Sequence, residues 1–285
     1  MFDAILHLIG SIDTAVALAL NSLVHRNEAF DRLVLFCADN PFVKGAPFVA
    51  LFCWLWFEPR SDQDCRRGSL ILLLFASLAA LFLSLLLLQL LPFRPRPIHE
   101  ATLHLNLPYG MDSAALAHWN SIPSDHGVLY GSLAMGFFLI SRMAGRIAFA
   151  WTIVFILLPR IYLGFHYLSD ILAGVFIGAA TMAVMFYARA VFVPAEKMVV
   201  SLERRMPAFF YAASFLLLWQ LSSALIDVRN ATGLTKQLAL SILFGGRPAQ
   251  EAEKDGLRCT GLWHSSDVKI CEEQAEPRQT EAAGR

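Results

Sequence analysis

Charge is scarce in this chain and neither sign dominates: 23 Lys and Arg balance 23 Asp and Glu, and charged residues are 16% of the 285. That balance argues against a nucleic-acid partner, which would call for a basic face. No Cys-x-x-Cys pair occurs among the five cysteines, so there is no thiolate zinc pattern. The first apolar stretch has no basic region before it and no clear small-x-small site after it, so no cleaved signal peptide is expected. Solenoid-period repeats and long low-complexity tracts are also missing.

What the chain has in abundance is apolar length. Hydrophobic residues make up 56% of it, and Leu/Phe-rich runs of about 17–23 residues recur, each long enough to cross a hydrocarbon core. The expected fold is all-α: a polytopic membrane helical bundle of about six transmembrane helices plus an N-terminal interfacial helix. The spanning candidates are 41–57, 69–91, 126–142, 146–163, 168–190 and 208–226. Residues 2–24 are interrupted by Asp3, His7, Asp13 and Asn21, which suits a helix lying at the interface better than one crossing it. A second short helix is expected from Phe30 to Asp39, closed by Asn40-Pro41. Three parts follow: an interfacial segment at 1–40, a membrane domain at 41–228 and a polar tail at 229–285, in which 229–243 is amphipathic.

The connections at 58–68, 142–146 and 189–207 are rich in arginine, which assigns them to the cytoplasm and the loops at 92–125 and 160–168 to the outer side of a cytoplasmic membrane. Helix counting puts the tail on the outer side too, where Cys259 and Cys271 pair or stay as free thiols. Cys37, Cys53 and Cys65 read as small apolar fillers. Tyr109, Trp119 and the Trp54/Trp56 pair read as interface aromatics, and His99, His104 and His118 as polar loop residues.

Ionisable groups inside such a chain are costly and point to function. Between two apolar runs stand Arg160, His166 and Asp170. Their spacing puts His166 and Asp170 on one helical face, where the carboxylate holds one ring nitrogen and leaves the other as a nucleophile. Arg160 offers a fork for an anion. Upstream, Pro92-Phe93-Arg94-Pro95-Arg96-Pro97 alternates arginine with stiffening proline, which suits bidentate phosphate binding. Between them, Pro123-Ser124-Asp125-His126 begins a helix whose free N–H groups attract an anion, with His126 placed to give up a proton. Each cluster alone also fits a plainer reading: interfacial anchors for the arginines, a helix cap for Ser124, a belt residue for each histidine. Together, on one membrane side, they supply what phosphoryl transfer through a phosphohistidine requires.

These residues resemble the type 2 phosphatidic acid phosphatase superfamily, whose signature is Lys-x6-Arg-Pro, Pro-Ser-Gly-His and Arg-x5-His-x3-Asp. The third motif is complete here as Arg160, His166 and Asp170. The second reads Pro123-Ser124-Asp125-His126, with Asp125 at the usual glycine, and the first aligns on Arg96-Pro97, with Gln89 at the lysine. The Pro-Ser-Asp-His form and the paired Arg-Pro resemble the bacterial undecaprenyl-diphosphate phosphatase branch.

The resemblance implies that His166 attacks phosphorus, Asp170 holds its ring and His126 protonates the leaving group. Arg96, Arg160, Ser124 and an N–H of the Asp125 turn would bind phosphoryl oxygens. Gln89 would donate hydrogen bonds without charge, and Arg94 would compensate. No metal or other cofactor is implied. The expected partners are a lipid phosphate substrate and membrane lipids. A prenyl diphosphate heads the substrates, with phosphatidate or phosphatidylglycerophosphate next. A phosphotransferase using the same residues and a non-enzymatic membrane scaffold are the competing readings.

Overall fold

The computed structural model describes residues 2–111, 116 and 119–222; the expectations placed on His118, on 229–243, on the tail and on Cys259 and Cys271 lie outside them. Among the described residues all regular structure is helical. In order these are α1 (Phe2–Asn21), α2 (Glu28–Asp39), α3 (Pro41–Phe57), α4 (Gln63–Leu90), α5 (Asp125–Ile140), α6 (Arg142–Trp151), α7 (Leu158–Tyr162), α8 (Leu168–Tyr187), α9 (Arg189–Arg205) and α10 (Pro207–Ser222). A π-helical turn, Thr152–Leu157, joins α6 to α7.

Local chemistry explains the breaks. Asn27 caps α2 by accepting from the Phe30 N–H, and Asn40 caps α3 by accepting from Phe42 and Val43. Pro41 lacks an N–H and takes the first helical position of α3 at no loss. Ser141 ends α5 and caps α6 through the Ala144 N–H, so the basic 142–146 segment is helix, not the connection expected there.

Among the described residues three stretches are long and apolar enough to cross a membrane: Gln63–Leu90, Arg142–Tyr162 and Leu168–Tyr187. The α2–α3 pair, bent by 54°, passes the same test only when its two helices are taken together, as one broken span or a re-entrant loop. Helices stand at all six stretches expected to span, but α5 and the start of α10 are shorter apolar helices. This is a helical membrane protein.

The packing that matters most is α5 against α8. A Cβ on Gly178 would lie 2.0 Å from the Val128 carbonyl oxygen, and one on Gly174 would lie 2.5 Å from that of Ser124. With Gly127 and Gly131 on α5, the small residues repeat every four positions on both helices, which lets the backbones touch as membrane helices do when small residues line their seam. The seam fixes the first turn of α5 beside the first turn of α8, where the Ser124 N–H donates to the Asp170 carbonyl at 3.2 Å.

The bundle has two distinguishable ends. At one, the α2–α3 junction, the end of α4, the start of α5 and the α7–α8 turn are stitched together. Arg160 donates to the Ala38 carbonyl at 2.7 Å, Asn120 donates to the Pro92 carbonyl at 3.2 Å, and the Ile98 N–H donates to the Gly164 carbonyl at 3.0 Å. Gly164 makes that turn at φ +67°, a left-handed conformation that a side chain would strain. At the other end, Arg189 on α9 donates to the Cys65 carbonyl at 2.9 Å and pairs with Glu196, and Arg66 pairs with Glu58. Trp56, expected at the interface with Trp54, is instead buried there, stacked between Phe52 and Phe210, while Trp54 is exposed.

Candidate active site

His166 sits in the turn before α8, not on the helix. Its Nδ1 lies 2.8 Å from the Ser121 carbonyl oxygen and its Nε2 lies 3.1 Å from Arg96 Nη1. A carbonyl only accepts and a guanidinium only donates, so Nδ1 carries the proton and Nε2 presents its lone pair. Burial, and then the adjacent Arg96, hold His166 well below the ordinary histidine range, so the ring is neutral. That is the protonation state an attacking nitrogen needs.

Asp170 does not touch this ring, contrary to the shared helical face expected from the spacing. It is the third residue of α8, and its Oδ2 accepts from the Tyr167 N–H at 2.9 Å, a helix-capping bond. Oδ2 also accepts from the Ser121 hydroxyl at 2.6 Å, while Oδ1 accepts from Arg94 Nη1 at 2.6 Å. The carboxylate therefore reaches His166 through Ser121, whose hydroxyl it holds and whose carbonyl holds Nδ1. Ser121 is fully buried.

The other imidazole is held by the residue that departs from the motif. Asp125 Oδ1 accepts from His126 Nδ1 at 2.9 Å and from the His126 N–H at 2.8 Å. This leaves Nε2, which is buried and has no hydrogen-bond partner among the described residues. Ser124 caps α5 by accepting from the Gly127 N–H at 3.3 Å, which leaves its hydroxyl proton to donate. Within electrostatic reach of His126 lie both Arg160 and His166.

The arginines divide. Arg96 is steered by carbonyls, donating to Phe165 at 2.8 Å and to Trp119 and Asn120 at 3.3 Å each. Arg160 is 4% exposed; its Nη2 donates to Ala38 and its Nη1, also buried, has no hydrogen-bond partner among the described residues. Arg94, expected beside them, is neutralised instead. It lies between Asp13 at 2.7 Å and Asp170 at 2.6 Å, with its guanidinium 4.0 Å over the Tyr167 ring. Gln89 is exposed on the last turn of α4 and makes no hydrogen bond among the described residues. Neither of the two joins the cluster around His126 and His166.

Two positions that bond directly to predicted site residues escaped the sequence reading. Ser121 carries no signal beyond standing three residues before Ser124. Asp13 had one: it is an ionisable residue in an apolar stretch, and it was read only as an interruption. It is 2% exposed and also accepts from the Ser169 N–H at 2.8 Å, which ties α1 to the start of α8. His99 and His104 lie in or beside the short 3-10 turns after Arg96, as loop residues.

Comparison with known proteins bears on this geometry. The family model of the PAP2 superfamily matches residues 69–193, which contain both imidazoles and the three arginines. Over those residues the chain is similar to the PAP2 superfamily. Undecaprenyl-diphosphatase BcrC of Bacillus subtilis (strain 168) is 29% identical over 175 residues, covering 59% of this chain and 79% of that protein. The putative undecaprenyl-diphosphatase YbjG of Escherichia coli (strain K12) is 29% identical over 147 residues, covering 51% and 67%. No solved structure matches.

Proposed function

We propose that this protein is an integral-membrane lipid phosphatase that hydrolyses a prenyl diphosphate, undecaprenyl diphosphate first, through a phosphohistidine on His166. The observation that carries the reading is the pair of buried, unpartnered nitrogens, His126 Nε2 and Arg160 Nη1, beside a neutral His166 whose Nε2 lone pair faces Arg96. Buried polar atoms are ordinarily satisfied, and orphans clustered beside a nucleophile fit a site whose ligand supplies the missing bonds. The names of the two relatives support the choice of lipid.

In the first half-reaction the His166 Nε2 lone pair attacks the terminal phosphorus. The bond from phosphorus to the bridging oxygen breaks, and that oxygen takes a proton from Nε2 of His126 and leaves as lipid monophosphate. His126 enters this step as the imidazolium, its Nδ1–H kept on Asp125 and its second proton taken up at Nε2 with the anionic substrate. The phosphoryl oxygens draw the Arg96 guanidinium off the nucleophile and accept from Arg160 Nη1 and the Ser124 hydroxyl. Arg160 Nη1 and the Ser124 hydroxyl are in place before reaction, and only Arg96 has to shift. In the second half, His126, now lacking that proton, removes one from water as the water attacks the phosphohistidine. The N–P bond breaks and inorganic phosphate departs. Asp125 keeps the His126 ring in register for both transfers, and Asp170 does so for His166 by way of Ser121.

The site end of the bundle is assigned to the outer face of a cytoplasmic membrane, because the arginine-rich connections gather at the opposite end. The test is His166→Ala in membranes, which is expected to lose at least about four orders of magnitude in phosphate release while inserting normally. Acid-stable labelling of wild type is not expected; base-stable label on His166 from terminally labelled undecaprenyl diphosphate is. Turnover retained by His166→Ala would end the proposal.

A further inference from the structure

The signature lysine is missing at position 89, Gln89 is turned out of the site and Arg94 is neutralised by two carboxylates. From the motifs alone, the phosphate would meet two guanidinium groups with Asp125 nearby, which is little positive charge for a multiply charged anion. The structure holds another cation that no motif includes. Lys44, in the first turn of α3, is only 2% exposed. A lysine near the end of a membrane helix ordinarily extends its ammonium to the water interface, and one buried in the bundle is expensive and marks function.

Its position follows from ring contacts one turn further down. Phe48 packs on Tyr130 with centroids 5.1 Å apart, and Tyr130 stacks under His126 at 6.2 Å. Both α3 and α5 begin at the site end, and Lys44 precedes Phe48 by four residues as His126 precedes Tyr130. Lys44 therefore stands level with His126, within electrostatic reach of its ring. Arg160 is fastened to the Ala38 carbonyl just before α3, and Trp151 Nε1 donates to the Val43 carbonyl at 2.9 Å, fixing this turn of α3 in place. The partnerless nitrogens of His126 and Arg160 lie in the same neighbourhood.

We infer that Lys44 is a phosphate-binding residue, supplying from α3 the ammonium that the signature places at position 89. With Arg96 and Arg160 it completes a cradle of three cations around the phosphoryl group. The inference deepens the phosphatase reading and rests on it for the identity of the anion, but its test does not depend on turnover.

Inorganic phosphate is titrated calorimetrically into the purified full-length protein in detergent. Lys44→Met is expected to weaken phosphate binding by about tenfold or more, Lys44→Arg to stay within about threefold of wild type, and Gln89→Ala to change nothing. If Lys44→Met does not insert, Lys44→Gln carries the same expectation. Wild-type affinity in whichever neutral variant folds, or a comparable loss in Gln89→Ala, overturns the assignment. Phosphate binding that depends on Lys44 in a protein that hydrolyses no lipid phosphate would keep the inference and sink the phosphatase reading. Normal hydrolysis with binding indifferent to Lys44 would do the reverse, and a wild-type chain that binds no phosphate would end both.

Discussion

At the end of the bundle formed by the 58–67 connection and α9, Arg66 pairs with Glu58, Arg189 with Glu196 at 2.8 Å, Arg67 with Glu203 at 3.4 Å and Arg204 with Asp64 at 2.5 Å. At the opposite end Arg160 is more deeply buried than Arg189, yet only one arm is bonded, to a neutral carbonyl, and Nη1 has nothing. At the first end a carboxylate of the protein meets each of these four arginines. At the second end Arg160 has no ion pair among the described residues, and Asp125 and Asp39 act on it only at longer range. Arg94 sharpens the contrast, because it lies at the site end and is built like the far-end pairs, held by Asp13 and Asp170. Position along the chain therefore does not separate the two kinds of arginine; the partner inventory does.

The most direct way to break the comparison is to remove one arginine from each end. Arg160→Leu is expected to lower kcat/KM by about 100- to 1,000-fold, the usual loss for one donor to a developing anion, with little change in thermal stability. Arg189→Leu is expected to do the opposite. It strands the buried Glu196 carboxylate, costs on the order of 3 kcal/mol of stability and leaves kcat/KM of the folded fraction unchanged. Thermal unfolding and initial rates on the same preparations separate the two. Equal effects on rate from both variants would erase the distinction between the ends.

The glycine seam comes next, because it is what brings the site end together. Gly178→Ala places a methyl 2.0 Å from the Val128 carbonyl oxygen, so α5 and α8 must part. A displacement on the order of 1 Å at their first turns is expected to cost about 100-fold in kcat, alongside about 1–3 kcal/mol from overpacking. Gly10, inside α1 with nothing near it, provides the control: Gly10→Ala should leave the rate alone and raise stability by up to about 1 kcal/mol through helix propensity.

How far the sequence could have led is plain from where each residue's partner lies. The apolar runs, the Asn40-Pro41 break and the Ser124 cap are set by neighbours a few positions away, and they stand where spacing put them. Arg160, His126 and His166 were recognisable because their type and order carry the chemistry. The His166–Asp170 bond failed because spacing of four assumes one continuous helix, whereas α8 begins only at Leu168. Ser121, Asp13 and Arg94 depend on partners 45 to 156 positions away, and nothing in a linear pattern reports that. The four-residue repeats of glycine in α5 and α8 were present in the sequence as a close-packing signal and went unread.

Ser121 then offers a finer test of how a carboxylate acts at a distance. Ser121→Ala keeps the carbonyl that holds His166 Nδ1 but removes the hydroxyl that Asp170 grips. A drop of about tenfold in kcat is expected, with KM nearly constant, since substrate contacts survive and only the ring's support loosens. Ser121→Thr, which restores a hydroxyl, should recover most of it. A KM effect in place of a kcat effect would move Ser121 from positioning His166 to binding the phosphate.

The smallest expected change is one of pH dependence, and it distinguishes the two imidazoles. His166 is held neutral to well below the ordinary histidine range by burial and by Arg96, so its protonation limits the reaction only in acid. A nearby cation disfavours a second positive charge, so taking Arg96 away must raise the His166 pKa. In Arg96→Gln the acid limb of kcat/KM should therefore move to higher pH, whereas in Arg96→Lys, which keeps the charge, it should stay close to its wild-type position even as the rate falls. The rate losses of the two variants need not match, because the readout is the position of the acid limb and not its height, and the difference between their acid limbs reports the charge beside the nucleophile. Superimposable limbs would mean that Arg96 serves the phosphate alone and that burial by itself keeps His166 neutral.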